Sequence, residues 1–253
     1  MVAKLVLDQL QKTGGSLTAL TLPAVNATAD QYLKNDGAGV LGWVDAPADV
    51  SGFHNVQFIT STPLSALALT TGTNLIVVEV QGAGGCSGSS DGIGYMAGNG
   101  GAGGYSIQQL TVVDTDTWNV TVGAGGVDGG THNGGDAVFA QASGSSLGST
   151  ITAGGGVGTA DASGAHATGA AGGTVTNANS GNKINISGSN GAAGSTDKTG
   201  PGSRWGWGGI RAPSGNGAGG HATGYGAGGG SCVGPNAAGG SGSDGLVIIW
   251  EYK

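Results

Sequence analysis

Two tryptophans and two arginines stand close together in Arg204-Trp205-Gly206-Trp207-Gly208-Gly209-Ile210-Arg211, within a region otherwise poor in side chains. Exposed aromatic rings and arginines are the usual anchors of recognition surfaces. An indole face can stack on a sugar ring, and a guanidinium can reach phosphate or carboxylate. The same two indoles would serve equally well as large apolar caps on a glycine-rich core. Because they are two residues apart, an extended chain points both to one side. Tyr95-Met96, His221 and Tyr225 are secondary candidates, and His166 a weaker one; all lie between glycine runs. The candidate recognition set is therefore Arg204, Trp205, Trp207, Arg211, Tyr95, Met96, His221 and Tyr225.

Catalytic patterns are weaker. His54, His132, His166 and His221 are isolated, without the spacing of a metal-ligand motif. Asp128, His132 and Asp136 are near one another in sequence and could face one site, but a solvated loop is the plainer reading. Glycine patterns of the dinucleotide-binding type carry almost no information at this glycine content. Neither Lys12-Thr13 nor Lys198-Thr199 has the preceding glycine of a phosphate-binding loop. A glycosidase needs two carboxylates about 5 to 9.5 Å apart, which spacing along the chain does not reveal. The expectation is a non-enzymatic protein with no catalytic residues, no cofactor and no metal. Cys86 and Cys232 lie in similar settings, Gly-Gly-Cys-Ser-Gly and Gly-Gly-Ser-Cys-Val-Gly. Small buried thiols, a disulfide between them, and a reactive thiol are all open.

Composition limits what can hold these residues in place. Glycine accounts for 58 of 253 residues, where an ordinary domain has about 7%. Each glycine inside a helix costs about 1 kcal/mol relative to alanine, which disfavours a helical bundle or a doubly wound α/β enzyme. Charged residues make up 9% and hydrophobic residues 38%, unlike a highly charged disordered chain. Collagen needs a strict Gly-X-Y period rich in proline, and only 6 prolines are present. A net charge of −7 with only 8 Lys and Arg lacks the basic footprint of a nucleic-acid binder. The sequence shows no apolar run of membrane-spanning length and no signal-peptide pattern at its start.

Strands are the natural elements here. Lys4–Leu7, Ser16–Leu22 and Val40–Val44 are candidates in an N-terminal segment of ordinary composition, with Asn35-Asp36-Gly37 as a turn. Ala46-Pro47-Ala48-Asp49 suggests a boundary, giving segments 1–50 and 51–253. Beyond it, strands are expected at Asn55–Thr60, Asn74–Gln81, Ser106–Val113, Trp118–Val122, Ala137–Gln141 and Leu246–Tyr252. Leu64–Thr70 is ambiguous. Asp114–Thr117 reads as a hairpin loop.

Two strands run directly into glycines that recur every third residue, Gly82, Gly85, Gly88 and Gly123, Gly126, Gly129, and Gly98, Gly101, Gly104 show the same spacing. Three residues per turn is the period of a left-handed extended helix. Glycine at every third place gives that helix a bare face on which neighbouring backbones can close and pair their N–H and C=O groups. The expected fold is all-β with a glycine-rich core: a small N-terminal β segment, then β-strands flanking a stack of polyglycine-II helices. A flexible Gly/Ser linker is disfavoured by the interspersed Trp, Ile and Val.

Val80-Gln81-Gly82-Ala83-Gly84-Gly85, Gly103-Gly104-Tyr105, Val120-Thr121-Val122-Gly123-Ala124-Gly125-Gly126 and Gly242-Ser243-Asp244-Gly245-Leu246-Val247-Ile248-Ile249 together resemble the glycine-rich domain of bacteriophage tail proteins, over roughly residues 55–253. The glycine block is similar to the polyglycine-II sandwich of tail-fibre tip adhesins of T-even-type phages. There the glycine helices are scaffold and the loops between them contact the host receptor. The stretch from Val6 through Leu20-Thr21-Leu22-Pro23 to Gly37 is similar to the start of many phage structural proteins, though unlike the T-even attachment domain. The resemblance implies a virion tail protein assembled in the bacterial cytoplasm. Its implied partners are other tail proteins through the N-terminal segment, a host surface glycan or outer-membrane protein through the loops, and two further copies of itself in a homotrimer, with no nucleic acid. A purely structural virion component, a surface-polysaccharide depolymerase and an ice-binding protein are the competing readings.

Overall fold

The computed structural model describes residues 31–35, 41–45, 52–61, 63–91, 95–130, 132–163, 165–194, 199–213 and 217–253. The strands expected at Lys4–Leu7 and Ser16–Leu22, the turn after Asn35 and the Ala46–Asp49 boundary lie outside the described residues. The chain divides into two compact units, Met1–Ser51 and Gly52–Lys253. In the first, β1 (Gln31–Asn35) pairs antiparallel with β2 (Leu41–Asp45), Leu33 standing opposite Trp43.

The second unit carries two five-stranded sheets and a ribbon. One sheet has the order β11 (Lys183–Ile186), β6 (Tyr105–Thr111), β5 (Leu75–Gln81), β14 (Leu246–Tyr252), β3 (Phe53–Ile59). The other has the order β10 (Val175–Asn177), β9 (Ile151–Ala153), β8 (Ala137–Ser143), β7 (Thr117–Thr121), β4 (Leu64–Ala68). The ribbon pairs β12 (Trp205–Trp207) with β13 (Thr223–Tyr225). All these pairings are antiparallel, and no helix occurs among the described residues. The protein is all-β, with strands at each place where side-chain alternation predicts one in 52–253.

Period-two alternation explains the core. β5 buries Ile76, Val78 and Val80, and β14 buries Val247 and Ile249; Trp118, Val120, Phe139 and Ile151 of the other sheet join them in one cluster. The Trp118 and Phe139 rings stack with centroids 4.7 Å apart. Burying a large aliphatic or aromatic side chain contributes about 1.5–3 kcal/mol.

Glu251 shares the alternation of Val247 and Ile249 on β14 and is fully buried. Its carboxylate is surrounded by donors: Gln57 Nε2 at 2.7 Å and Asn55 Nδ2 at 3.2 Å to Oε1, the Thr70 N–H at 2.7 Å and the Thr73 hydroxyl at 2.9 Å to Oε2. Burial alone pushes this carboxyl up. The bonds from Gln57, Thr70 and Thr73 outweigh it and hold the group below the usual carboxylate range.

Where the strands end, the glycine segments take over with a different order. The N–H groups of Gly82 and Gly85 donate to Gly104 and Gly101. Those of Ala83 and Cys86 donate to Gly135 and His132, and those of Gly84 and Ser87 to Ser243 and Gly240. Consecutive residues thus face different neighbouring segments, and every third residue returns to the same one. Side chains have no room at these contacts. A Cβ on Gly84 would fall on the Ala227 carbonyl, and one on Gly229 on the Gly240 carbonyl, closer than any non-bonded pair can stand. Cys86 and Cys232 are buried free thiols, and burial pushes the Cys86 thiol up to about 12.

Candidate functional site

The candidate residues gather into separate groups. On the ribbon, Trp205 stands opposite Tyr225 and Trp207 opposite Thr223. Gly206 and Gly224 are paired between them, and Gly224 has φ +75°, a conformation glycine adopts without strain. The Ser203 hydroxyl donates to the Tyr225 carbonyl and accepts the Trp205 N–H, closing the start of the ribbon. Trp207 is 83% exposed and nearby Ile210 71%, whereas Trp205 is 36% exposed.

Trp205 is screened by its neighbour. The Arg204 guanidinium lies 5.5 Å from the Trp205 ring centre and 5.3 Å from that of Tyr105. Arg204 Nε is also 3.5 Å from Glu79 Oε2. Glu79 is nearly buried, and accepts from the Tyr105 hydroxyl at 2.6 Å and the Trp250 indole at 3.0 Å. Burial first, and then the Glu79 bond and charge, push the Tyr105 phenol well above its ordinary range. Arg204 is thus engaged in fastening the ribbon's base to the sheet face, while its side chain stays half-exposed. Beside it, Gln81, Tyr105, Ile186, Ser189 and Arg204 line a groove of about 380 Å³.

A second group brings together residues far apart in sequence. Arg211 Nη2 is 3.5 Å from Met96 Sδ. The Met96 N–H donates to His166 Nδ1 at 3.2 Å, and the His166 and Tyr95 rings meet edge to face at 6.2 Å. His221 lies on the segment before β13, where its Nδ1 accepts the Ser241 N–H at 3.0 Å. The eight candidates therefore form a ribbon group, a Met96 group and a single histidine.

Of the three residues near one another in the β7–β8 connection, Asp136 turns away and accepts the Gly155 N–H at 2.9 Å. Asp128 and His132 instead come together with Asp161. No spacing rule could have found Asp161, because the glycine segments decide which connections become neighbours. The sequence reading also passed over Phe53 and Phe58, both exposed, whose rings each lie 6.3 Å from that of Trp250. Phe58 falls within the strand expected at Asn55–Thr60, where alternation reads as core until the sheet edge is known, and Phe53 lies before that strand.

A family described as a glycine-rich domain matches residues 60–252, from just before β4 to the end of β14. The chain belongs to the glycine-rich domain family. No curated protein matches the chain. The family's span takes in the ribbon, the Met96 group and every glycine segment described above, and leaves β1, β2 and β3 outside it.

Proposed function

We propose that this glycine-rich domain protein is a phage virion protein, a tail-fibre or tail-tip adhesin that binds a host surface receptor through the loops between its glycine segments. The observation that carries the reading is the ribbon: Trp207 stands 83% exposed on a short strand pair fastened by Arg204 and Glu79. An aromatic ring held this open on a fixed support is an anchor with little left to order on binding. The three-residue return of the backbone bonds from Gly82 to Ser87 supports the polyglycine-II reading of the core, a stiff scaffold from which loops project. In this reading the protein has no enzymatic activity. The N-terminal segment joins it to other tail proteins, the assembly is a homotrimer in the virion tail, and the receptor is a surface glycan or outer-membrane protein.

The second reading is a structural virion component without a receptor. It is favoured by Arg204, whose contacts with Glu79, Tyr105 and Trp205 give the ribbon's charged residue an internal role.

Binding of fluorescently labelled protein to a panel of bacterial strains separates the two. The adhesin reading expects binding to a narrow set of strains, lost in a Trp205→Ala/Trp207→Ala variant whose thermal melting is unchanged. Absence of binding to every strain, including the host of a phage carrying this protein, would leave the structural component.

A further inference from the structure

Asp128, His132 and Asp161 lie outside the ribbon and Met96 groups, on two different connections. Asp128 and His132 belong to the segment joining β7 and β8, and Asp161 to the one joining β9 and β10. Each offers a ligand atom, and these atoms lie within 4.8 Å of one another. Asp128 and His132 are half-buried, and Asp161 is exposed.

Each of the three is also fixed from outside the cluster. Asp128 Oδ2 accepts the Gly239 N–H at 2.9 Å. Asp161 Oδ1 accepts the Ser89 N–H at 2.8 Å. These bonds orient the carboxylates and leave the second oxygen of each for another partner. His132 Nδ1 lies 2.8 Å from the Thr159 carbonyl oxygen. A carbonyl can only accept, so Nδ1 is the donor, and in the neutral imidazole Nε2 is the nitrogen with the lone pair. An imidazole that donates one N–H to a backbone carbonyl while presenting the other nitrogen is the arrangement that orients metal-binding histidines.

We propose that Asp128, His132 and Asp161 form a binding site for a divalent transition-metal cation of the zinc class. One imidazole nitrogen and two carboxylate oxygens suit zinc better than magnesium or calcium, which prefer all-oxygen surroundings. Three protein ligands leave a position for water, as at many zinc sites. Bonds of about 2.0–2.2 Å require the ligand atoms to draw together slightly, within the reach of side-chain rotation. The bound cation neutralises two carboxylates held side by side. It also ties the β7–β8 connection to the β9–β10 connection, and through Gly239 and Ser89 steadies two further segments. This assignment does not depend on what the protein recognises.

Titration of the full chain with Zn²⁺ alone in chelator-treated buffer, followed by calorimetry, tests it. The expected result is one ion per chain and a rise in Tm with added Zn²⁺. Affinity should fall more than about 10-fold in both His132→Ala and Asp161→Asn, remain unchanged in Asp136→Asn, and be far weaker for Ca²⁺. Co²⁺ should give visible absorption bands that His132→Ala abolishes. If His132→Ala does not fold, the exposed Asp161→Asn change decides. No Zn²⁺ binding, binding undiminished in Asp161→Asn, or equal affinity for Ca²⁺ would overturn the proposal.

Discussion

The two sheets and the glycine segments solve the same problem by opposite means. Between the sheets, side chains do the work: Trp118, Phe139, Ile76 and Ile249 fill one continuous core, and removing volume is what harms it. Among the glycine segments the backbone does the work. N–H and C=O groups from several segments meet directly, and adding volume is what harms it. One region depends on what its side chains fill, the other on having almost none. A single chain can therefore carry two kinds of mutational sensitivity with a boundary at the strand ends, as at Gln81 and Gly82.

The largest effect should come from emptying the core. Phe139→Ala removes a fully buried ring stacked on Trp118 and should cost about 3–5 kcal/mol in urea unfolding. The reverse operation, adding one methyl, should harm the other region. Gly229→Ala should cost about 1–3 kcal/mol, because the new Cβ meets the Gly240 backbone rather than a movable side chain. Gly52→Ala, with no atom within 4 Å of the added Cβ, should change stability by less than about 0.5 kcal/mol. Equal costs at positions 229 and 52 would erase the distinction between the regions.

A pH series sharpens the comparison, since the sandwich holds an engaged carboxylate. Glu251 titrates below its unfolded value of about 4.3. Its contribution is present above that value and is lost as pH falls through the folded one. The urea midpoint of the wild type should therefore drop below pH 4 by more than that of Glu251→Gln, which has no such charge to lose. The smallest effect belongs to the ribbon. Trp207→Ala removes a ring already in solvent, and its Tm should stay close to the wild type, with a stability change within about 0.5 kcal/mol.

The sequence was most legible where side chains carry the order. β5, β7 and β14 follow from alternation and β-branched residues, and the inward faces follow from the same pattern. β9, β10, β12 and β13 are three residues long, too short for a period to show among glycines. β1 and β11 are harder to see: Gln31–Asn35 offers little apolar alternation, and Lys183–Ile186 alternates over only four residues, with both isoleucines exposed. The candidate residues themselves were legible by type. Their grouping was not, because Met96 reaches His166 and Arg211 only through the pairing of glycine segments. Glycine repeats look alike, so nothing in one segment names its neighbour. The role of Arg204 was hidden for a related reason: its acidic partner, Glu79, reads on the sequence as one residue of a β-strand.

The return of every third N–H to the same neighbouring segment has a thermal consequence. Unfolding that region uncovers peptide groups in place of the apolar side chains an ordinary core would release. Exposed apolar surface raises the heat capacity by about 0.45 cal/K/mol per Å², and exposed polar surface lowers it by about 0.26. The heat-capacity increment per residue should accordingly lie below the usual ~12–15 cal/mol/K. A small increment flattens the curve of stability against temperature, so a chain built in this way keeps its fold over a wide span between cold and heat.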